Sequence, residues 1–486
     1  MEADAQLRAD PATTLDTLRR LGVARVKLYV PWYTVAPDPA ASSAPAGFDA
    51  SDPSAYPSAN WVYYDTVVRE ATARGIGIDL TVGAPTPHWA TGPGAPPGAP
   101  PGVWKPSPAE YARFVHALGV RYSGRYTPAG ASSPLPRVDF WAIWNEPNYG
   151  PQLAPQAIDH STIEVSPALY RGLVNAAWAT LHRTGHGNDT ILIGELAPRG
   201  ITAGNNPGDF SGMVPLRFMR ALYCVDSSLR PLTGAAATER ACPATAAASS
   251  QFARDNPALF QASGFAVHPY PQGALAPDVV TPDEPDFADL ATLPRLEASL
   301  DKVQHQYGSS KRFDLYSTEF GYKTNPPFIA GVPIAQAPLY LNWAEYLSWR
   351  NPRIRSYDQY QVTDPPPAHS QFDTGLEFAN GSPKPTLAAF RLPIYLPVTH
   401  AAAGASLLVW GCVRPARYTP LPQRVQIELQ PPAQRAFKVV DRVPVIDRGG
   451  YFEAQVRFPS SGAVRLAWSY PDGPTIHSRQ VAIEVG

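Results

Sequence analysis

Charged side chains are scarce in this chain of 486 residues. Asp, Glu, Lys and Arg make up 17% of it, and the formal net charge is −1. Globular proteins ordinarily carry about a quarter of charged residues. No long basic run is present either. Because a protein that binds nucleic acid needs positive charge to neutralise phosphates, we expect no nucleic-acid partner.

Cysteine is also rare, with three residues in the whole chain. Cys224 and Cys242 flank a loop rich in Ala, Ser and Thr, and we expect a disulfide between them, as in an exported chain. Cys412 is then left alone in a later strand, where we expect a buried, apolar role. No spacing of Cys and His typical of a metal site occurs. We expect neither a metal nor a cofactor.

Long apolar runs are missing, so no segment is expected to span a membrane. Residues 1–7 lack the charged and apolar regions of a signal peptide, and they also make a poor first strand. We therefore expect that the chain begins downstream of the true start. We expect an extracellular or cell-surface monomer, with a cytoplasmic location left open.

What the chain does contain is an alternation of strand-like and helical segments over residues 1–394. Asp10 before Pro11, and Ser107 before Pro108, are typical helix starts. No glycine-rich phosphate motif follows the early strands, which argues against a dinucleotide-binding fold. The alternation predicts a (β/α)8 barrel, also called a TIM barrel. Its strands number eight if residues 1–7, or residues upstream, supply the first.

The pattern changes after Pro397. Short runs of alternating apolar residues separated by turn residues predict an antiparallel β-sandwich over residues 398–486. It contains no evident catalytic set. We expect it to cap or space the barrel, and sugar binding is the alternative.

Two predicted strands end in a glutamate. The apolar stretch 139–144 runs into Asn145, Glu146 and Pro147, and the stretch 313–318 runs into Glu319. The two glutamates lie 173 residues apart in the sequence. The carboxyl ends of barrel strands meet at one rim, where active sites lie. Paired carboxylates that flank a scissile bond are the groups that glycoside hydrolysis uses.

Trp-Asn-Glu-Pro at 144–147, His-Pro-Tyr at 268–270 and Thr-Glu-Phe-Gly at 318–321 resemble, in order and spacing, the clan A glycoside hydrolases. The resemblance is to cellulase-type family 5 and to family 39. It implies a retaining mechanism with Glu146 as acid/base and Glu319 as nucleophile, their carboxyl groups about 5–5.5 Å apart.

The same resemblance suggests contacts around the two carboxylates. Asn145 would bond the sugar 2-hydroxyl, Tyr270 would donate to Glu319, and His268 would lie beside them. Such enzymes carry a supporting Arg where this chain has Lys27, and a Trp on the last strand where it has Tyr357 and Tyr360. Lys keeps the positive charge of Arg but loses its bidentate geometry.

Aromatic residues near strand ends are candidates to stack on sugar rings, although packing is equally open for each. They are Trp32, Trp89 and Tyr357, with His88 as a further substrate contact in the loop of Trp89. Glu195, near another strand end, is either a subsite ligand or a member of an ion pair.

The sequence thus predicts a retaining glycoside hydrolase that cleaves β-glycosidic bonds in oligo- or polysaccharides, with carbohydrate as its partner. A non-catalytic carbohydrate-binding barrel is the alternative from another class, motivated by Lys27 and by the missing Trp. The presence of both glutamates argues against it, because binding needs neither. A transglycosylase is a third possibility, and the sequence does not specify the sugar or the linkage.

Overall fold

The computed structural model describes residues 1–158, 160–281, 284–367, 372–470 and 473–486. In chain order the helices are α1 (Asp4–Ala9), α2 (Pro11–Arg20), α3 (Trp32–Val35), α4 (Val62–Ala73), α5 (Pro108–Arg121), α6 (Ser166–Arg183), α7 (Pro215–Leu222), α8 (Gly234–Thr238), α9 (Ala246–Ser249), α10 (Phe252–Asp255), α11 (Ala258–Gln261), α12 (Leu293–Gln306), α13 (Ala337–Arg350) and α14 (Pro385–Arg391).

The first nine strands are β1 (Arg25–Pro31), β2 (Gly77–Gly83), β3 (Phe140–Ile143), β4 (Thr190–Leu196), β5 (Gly264–Val267), β6 (Asp314–Phe320), β7 (Thr324–Asn325), β8 (Val332–Pro333) and β9 (Ile354–Gln359). The remaining strands are β10 (Ile394–Tyr395), β11 (His400–Ala401), β12 (Ser406–Cys412), β13 (Gln423–Gln430), β14 (Lys438–Val445), β15 (Tyr451–Arg457), β16 (Gly462–Ser469), β17 (Thr475–His477) and β18 (Val481–Val485).

The helix starts expected from the sequence are present. The Asp10 carboxylate accepts a hydrogen bond from the backbone N–H of Thr13 at 3.0 Å, and Pro11 opens α2. The Ser107 hydroxyl accepts from the N–H of Glu110 at 3.3 Å at the start of α5. Each cap satisfies an N–H that the first helical turn cannot bond.

The predicted barrel is confirmed. In the described part of the chain, seven parallel strands form one sheet in the order β1-β2-β3-β4-β5-β6-β9. Met1 bridges to β1, because its nitrogen donates to Arg25 O and its carbonyl accepts from Lys27 N, both at 3.0 Å. Glu2 bridges to β9, because its N–H donates to Gln359 O at 3.2 Å. Two residues thus fill the eighth strand position and close the sheet.

Residues 1–7 do not form the full first strand that the sequence analysis offered as one source of the eighth. Only Met1 and Glu2 make strand-like hydrogen bonds, and the chain turns into helix α1 from Asp4. The Asp4 carboxylate pairs with Arg8 one helical turn later, at 2.8 Å. This favours the helix where the sequence offers no alternating apolar pattern.

Two strands change register just before the carboxyl rim. Alternate residues of a strand point to opposite faces, and Leu192 of β4 packs inside the barrel. Simple alternation would put Glu195 on the outer face. Pairing between β4 and β5 shifts between Ile193 and Leu196, and pairing between β6 and β9 shifts between Ser317 and Phe320. Such bulges re-aim side chains, and here they bring Glu195 and Glu319 inside.

The bulge in β4 depends on Gly194. Its φ is +103°, and a Cβ atom at this position would lie 2.6 Å from the carbonyl oxygen of Ala266. Only glycine fits a backbone of this conformation at so close an approach. Gly194 therefore contributes to the direction of the Glu195 side chain.

The C-terminal strands form the predicted sandwich. One sheet has the order β10-β12-β15, and the other has the order β11-β18-β16-β13-β14 with β17 beside β16. Apart from the parallel pair β11–β18, the pairings are antiparallel. β10 already pairs with β12, so the sheet starts before residue 398, where we expected the sandwich to begin.

The sandwich packs on the barrel through buried polar and aromatic contacts. Glu345 of α13 is buried, pairs with Arg414, and accepts from the Tyr451 hydroxyl at 3.0 Å. Around them, Tyr346 and Trp410 belong to an aromatic cluster drawn from both parts of the chain. The Tyr418 hydroxyl donates to Val23 O, just before β1, at 2.6 Å.

A disulfide joins Cys224 and Cys242 in the connection between β4 and β5. Cys412 is a free, buried thiol in β12. None of the helices in the described ranges combines the length and the hydropathy that crossing a bilayer would require.

Candidate active site

Two carboxylates face each other at the carboxyl rim of the barrel. Glu146 follows β3, and Glu319 lies at the end of β6. A carboxylate oxygen of Glu146, one of Glu319 and a ring nitrogen of His268 all lie within 4.8 Å of one another. The side chains of Glu146 and Glu319 are 19% and 11% exposed. The pair is therefore sheltered but open to a ligand.

Glu319 is held as a carboxylate by donors on both oxygens. The Lys27 ammonium donates to Oε1 at 2.7 Å, and the Tyr270 hydroxyl donates to Oε2 at 3.0 Å. Burial opposes ionisation, but the positive charges of His268 and Lys27 outweigh it and lower the pKa of Glu319. A carboxylate kept ionised and fixed in direction is what a nucleophile needs.

Lys27 is the central cation of the site. Besides Glu319, its ammonium contacts Glu195 Oε2 at 3.2 Å, Asn145 Oδ1 at 3.4 Å and His268 Nε2 at 3.5 Å. Burial opposes the charge, but Glu195 and Glu319 raise the pKa of Lys27 well above its ordinary value. Lys27 therefore supports the candidate nucleophile, as the resemblance implied.

His268 lies between two carboxylates. Its Nδ1 is 2.9 Å from Glu146 Oε1, and its Nε2 is 3.0 Å from Glu195 Oε2. Burial disfavours the imidazolium ion, but Glu319, Glu146 and Glu195 raise the pKa of His268 to about 10. Glu195 is fully buried, and Lys27 and His268 overcome that burial and lower its pKa to about 2. Glu195 is thus a member of an ion pair, which settles the choice that the sequence left open.

The backbone is strained around these side chains. Trp144, Glu146 and Glu195 have φ values of +72°, +41° and +50°, in a region that residues other than glycine rarely adopt. Strain of this kind costs about 1–3 kcal/mol per residue and concentrates at functional sites. Here it lies at the ends of β3 and β4, where the backbone N–H of Glu146 donates to Glu195 O at 2.9 Å. These backbone conformations contribute to the directions in which the Glu146 and Glu195 side chains point.

Glu2 is a site residue that the sequence analysis missed. Met1 bonds to β1 opposite Val26, so Glu2 lies opposite Lys27 and shares its inward face. Burial and the charge of Glu319 raise the pKa of Glu2 to about 8. No alternating pattern marks residues 1–7 as a strand, so the sequence gave no signal for it.

Within the described residues, three side chains lie close enough together to hold a metal ion. They are Glu146, His268 and Glu319. Lys27 already places a cation 2.7 Å from Glu319, however. Lys27 and His268 therefore already offset part of the carboxylate charge at this site.

Searches with the sequence found no matching family model and no matching curated protein. Among solved structures, the chain is similar to a family 39 glycoside hydrolase from the gut symbiont Bacteroides cellulosilyticus WH2. The identity is 14% over 92% of this chain and 76% of that chain, with a TM-score of 0.46.

It is also similar to the family 1 β-glucosidase from Thermotoga maritima, at 13% identity over 72% of this chain and 76% of that chain, with a TM-score of 0.42. The virulence factor SghA from Agrobacterium tumefaciens is 14% identical over 74% of this chain and 78% of that chain, with a TM-score of 0.43.

Two of the predicted sugar-stacking residues are misplaced for that role. Trp32 is fully buried and stacks on Phe114 at 5.0 Å between ring centroids, so it belongs to the core. Tyr357 points outward from β9, where its hydroxyl donates to Leu341 O of α13 at 3.2 Å. For both residues the structure shows packing, which the sequence analysis left equally open, because proximity to a strand end does not specify which way a side chain points.

The other predicted contacts lie on the correct rim. Asn145 adjoins Lys27 and follows β3 into the site. His88 and Trp89 lie in the short turn His88–Ala90 after β2, and Trp89 packs edge-on against Trp32 at 5.3 Å. Within the described residues, neither His88 nor Trp89 forms a hydrogen bond or an ion pair with Glu146 or Glu319. Their role in substrate binding stays a prediction.

An aromatic wall beside Glu319 was also missed. The rings of Tyr360 and Phe372 lie 6.1 Å and 5.7 Å from the ring of Tyr270, and 5.9 Å from each other. Phe372 is 42% exposed, and the Lys323 ammonium lies 4.4 Å from its ring centroid. An exposed aromatic face next to the carboxylates is suited to stack on a sugar.

Proposed function

We propose that this protein is a retaining glycoside hydrolase that cleaves β-glycosidic bonds in oligo- or polysaccharides by double displacement. One observation carries the proposal. Glu146 and Glu319 present oxygens within 4.8 Å of each other at the barrel rim, and only Glu319 has donors on both oxygens that keep it ionised. That separation suits a nucleophile and an acid/base on one anomeric carbon, because an inverting pair needs room for a water molecule.

In the first step Glu319 attacks the anomeric carbon. The bond from that carbon to the leaving oxygen breaks, and Glu146 gives its proton to the leaving oxygen. Lys27 and Tyr270 hold Glu319 in line for this attack. As the carboxylate becomes an ester it loses its negative charge, and Lys27 stays neutralised by Glu195 at 3.2 Å.

In the second step water attacks the glycosyl ester. Glu146 takes a proton from the water, and Glu319 leaves as a carboxylate. Lys27 and His268 stabilise the negative charge that returns to Glu319. Asn145 lies beside Lys27, in a position to donate to a sugar hydroxyl. Tyr360 and Phe372 supply an apolar face for the ring.

We also propose that the protein acts as a monomer outside the cytoplasm, at the cell surface or beyond it. The disulfide between Cys224 and Cys242 supports this location, because such bonds persist in oxidising compartments.

The test is turnover of aryl β-glycosides of glucose, xylose, mannose, galactose and arabinose by the wild-type protein and by Glu319→Gln. Glu345→Gln is the matched control, because Glu345 is also buried but lies at the contact with the sandwich. We expect turnover of at least one glycoside, abolished in Glu319→Gln and kept in Glu345→Gln. Near-normal rates in Glu319→Gln would refute the assignment of the nucleophile.

A second measurement tests the retaining outcome. NMR spectroscopy during the first minutes of hydrolysis should show the β-anomer of the released sugar, which then mutarotates. Release of the α-anomer would refute double displacement and indicate a single inverting step. Sugar binding without any turnover, also on polysaccharides, would instead indicate a carbohydrate-binding barrel.

A further inference from the structure

Glu195 is the one carboxylate of the cluster that substrate cannot reach. Its side chain is 0% exposed, whereas those of Glu146 and Glu319 are partly exposed. Its Oε2 accepts from Lys27 at 3.2 Å and lies 3.0 Å from His268 Nε2. Glu195 can therefore act on the chemistry only through neighbouring groups, and these two residues are the ones that bond its Oε2.

His268 connects Glu195 to the candidate acid/base. The imidazole is 0% exposed, with Nε2 on Glu195 and Nδ1 at 2.9 Å from Glu146 Oε1. A carboxylate on one ring nitrogen fixes the proton there and leaves the other nitrogen to exchange a proton. The Ser-His-Asp triad uses a buried carboxylate in this way to hold its histidine.

We infer that Glu195, His268 and Glu146 form a proton relay, in which Glu195 holds the proton on Nε2 and one further proton is shared between His268 Nδ1 and Glu146. The inference rests on the proposed function, because it concerns the proton that Glu146 delivers. Glu195 is in this sense a positioning residue, since it acts through His268.

The proton balance follows the two steps. In the first, the shared proton passes from Glu146 to the leaving oxygen while the bond from the anomeric carbon to Glu319 forms. His268 then stays neutral with its proton on Nε2. In the second, the attacking water gives a proton back to the shared position while the bond to Glu319 breaks. No other donor or acceptor is required.

The charged groups around His268 favour the binding of this shared proton. Carboxylates face the ring from three strands, with Glu146 after β3, Glu195 on β4 and Glu319 on β6, whose Oε2 lies 3.6 Å from Nδ1. Lys27 on β1 opposes them at 3.5 Å. Glu2, which also faces inward, adds a further carboxyl group near the ring. Tyr270, two residues after His268, donates its hydroxyl hydrogen to Glu319. Although burial opposes the charge, the carboxylates around the ring raise the pKa of His268 to about 10, so the ring holds its proton into the alkaline range.

Glu195→Gln tests the inference. Lys27 and His268 bond the same oxygen, Oε2, so a Gln amide oxygen in that place can keep both hydrogen bonds while the negative charge is lost. Loss of the negative charge disfavours the protonated pair. We therefore expect the alkaline limb of kcat/KM to move to lower pH by about 1–3 units. If Glu195 served only as the counterion of Lys27, the alkaline limb would stay at its wild-type pH.

Asp79→Asn is the matched control. Asp79 is also a buried carboxyl group, and it pairs in register with Lys27 on the neighbouring strand. None of the hydrogen bonds in the described residues joins it to His268. Burial raises the pKa of Asp79 to about 8, so in the alkaline range its removal also takes away a buried negative charge, but one that does not lie against His268. We expect its alkaline limb to coincide with that of the wild type.

A measurement on the free wild-type protein keeps the relay testable without turnover. Nitrogen-15 NMR of labelled histidines, with the His268 signals assigned from a His268→Gln spectrum, should show Nε2 protonated and Nδ1 titrating above pH 8. Nδ1 titrating near pH 6.5, the ordinary value for His, would overturn the relay, as would an unmoved limb in Glu195→Gln. Absence of turnover in the wild type would refute the proposed function, and the NMR result would still decide where the proton lies.

Discussion

Lys27→Met removes the ammonium ion that lies between two buried carboxylates, while keeping an unbranched side chain of similar length. The ion is 2.7 Å from Glu319 and 3.2 Å from Glu195. Without it, His268 is the remaining cation in contact with Glu319. An opposite charge at this range lowers a carboxyl pKa by about 1–3 units, at about 1.4 kcal/mol per unit. The variant should therefore disfavour the ionised nucleophile by about 1.4–4 kcal/mol.

The sign of the pH effect follows from Glu319. Its pKa is lowered in the folded protein from the ordinary 4.5, so its ionised form stabilises the fold above that pH, and this contribution is lost as the pH falls through the folded value. In Lys27→Met the folded pKa rises. The acid limb of kcat/KM should then move up by about 1–3 pH units, measured with an aryl glycoside that has a good leaving group.

Lys384→Met separates this effect from instability. Lys384 is also buried and pairs with Asp364 at 2.7 Å, but it contacts none of the carboxylates of the site among the described residues. Removing one partner of a buried pair costs about 3–5 kcal/mol in either variant. We expect both to unfold at lower temperature and only Lys27→Met to shift the acid limb. An acid limb at the wild-type pH in Lys27→Met would refute the role given to Lys27.

Three further substitutions test the site. Glu146→Ala should spare the first step for substrates with good leaving groups and be accelerated by azide, detected as a glycosyl azide; no acceleration would contradict its acid/base role. Tyr270→Phe removes one donor to Glu319 and should lower kcat/KM by about 10–100-fold, because a hydrogen bond to a charged group contributes about 1.5–3 kcal/mol; an unchanged rate would show that Lys27 alone suffices. Glu2→Gln removes a carboxyl group whose pKa burial and the charge of Glu319 raise to about 8, so its kcat/KM should differ from that of the wild type above that pH; identical pH–rate profiles would show that Glu2 does not act on the site.

The sequence could predict the barrel because its signals are local. Ser107 and Pro108 mark the start of α5, and the apolar run before Glu146 marks β3. Strand order then follows, because consecutive parallel strands of a barrel are neighbours. Glu146, Glu319, His268 and Tyr270 lie at the ends of such strands, so their meeting at one rim follows from the fold.

The direction of side chains at that rim could not be predicted. Alternation places Glu195 outside with Ile193, and only the bulge at Gly194 turns it inward. For Tyr357 and Asp358, alternation indicates that the two side chains point to opposite faces of the strand. It does not indicate which of the two faces inward. The structure turns Tyr357 to α13 and Asp358 to Met1. The direction of the Trp32 side chain could not be predicted either, because helix α3 turns it into the core.

Glu2 escaped prediction for a different reason. The eighth strand position holds only two residues with strand-like bonds, and helix α1 follows at once. A segment of two residues is too short to show the alternating pattern of a strand. Their placement depends on hydrogen bonds to β1 and β9, which lie 23 or more residues away in the sequence. Long-range pairing of this kind leaves no mark in the local pattern.

The contact between barrel and sandwich has a consequence for how this protein can evolve. Glu345 of the barrel is buried and depends on Arg414 and Tyr451 of the sandwich for its partners. A barrel that exchanged this sandwich for another accessory domain would keep a buried carboxylate without a counterion. The two parts of the chain are therefore coupled at this contact, and a change of Arg414 or Tyr451 in the sandwich calls for a compensating change at Glu345 in the barrel.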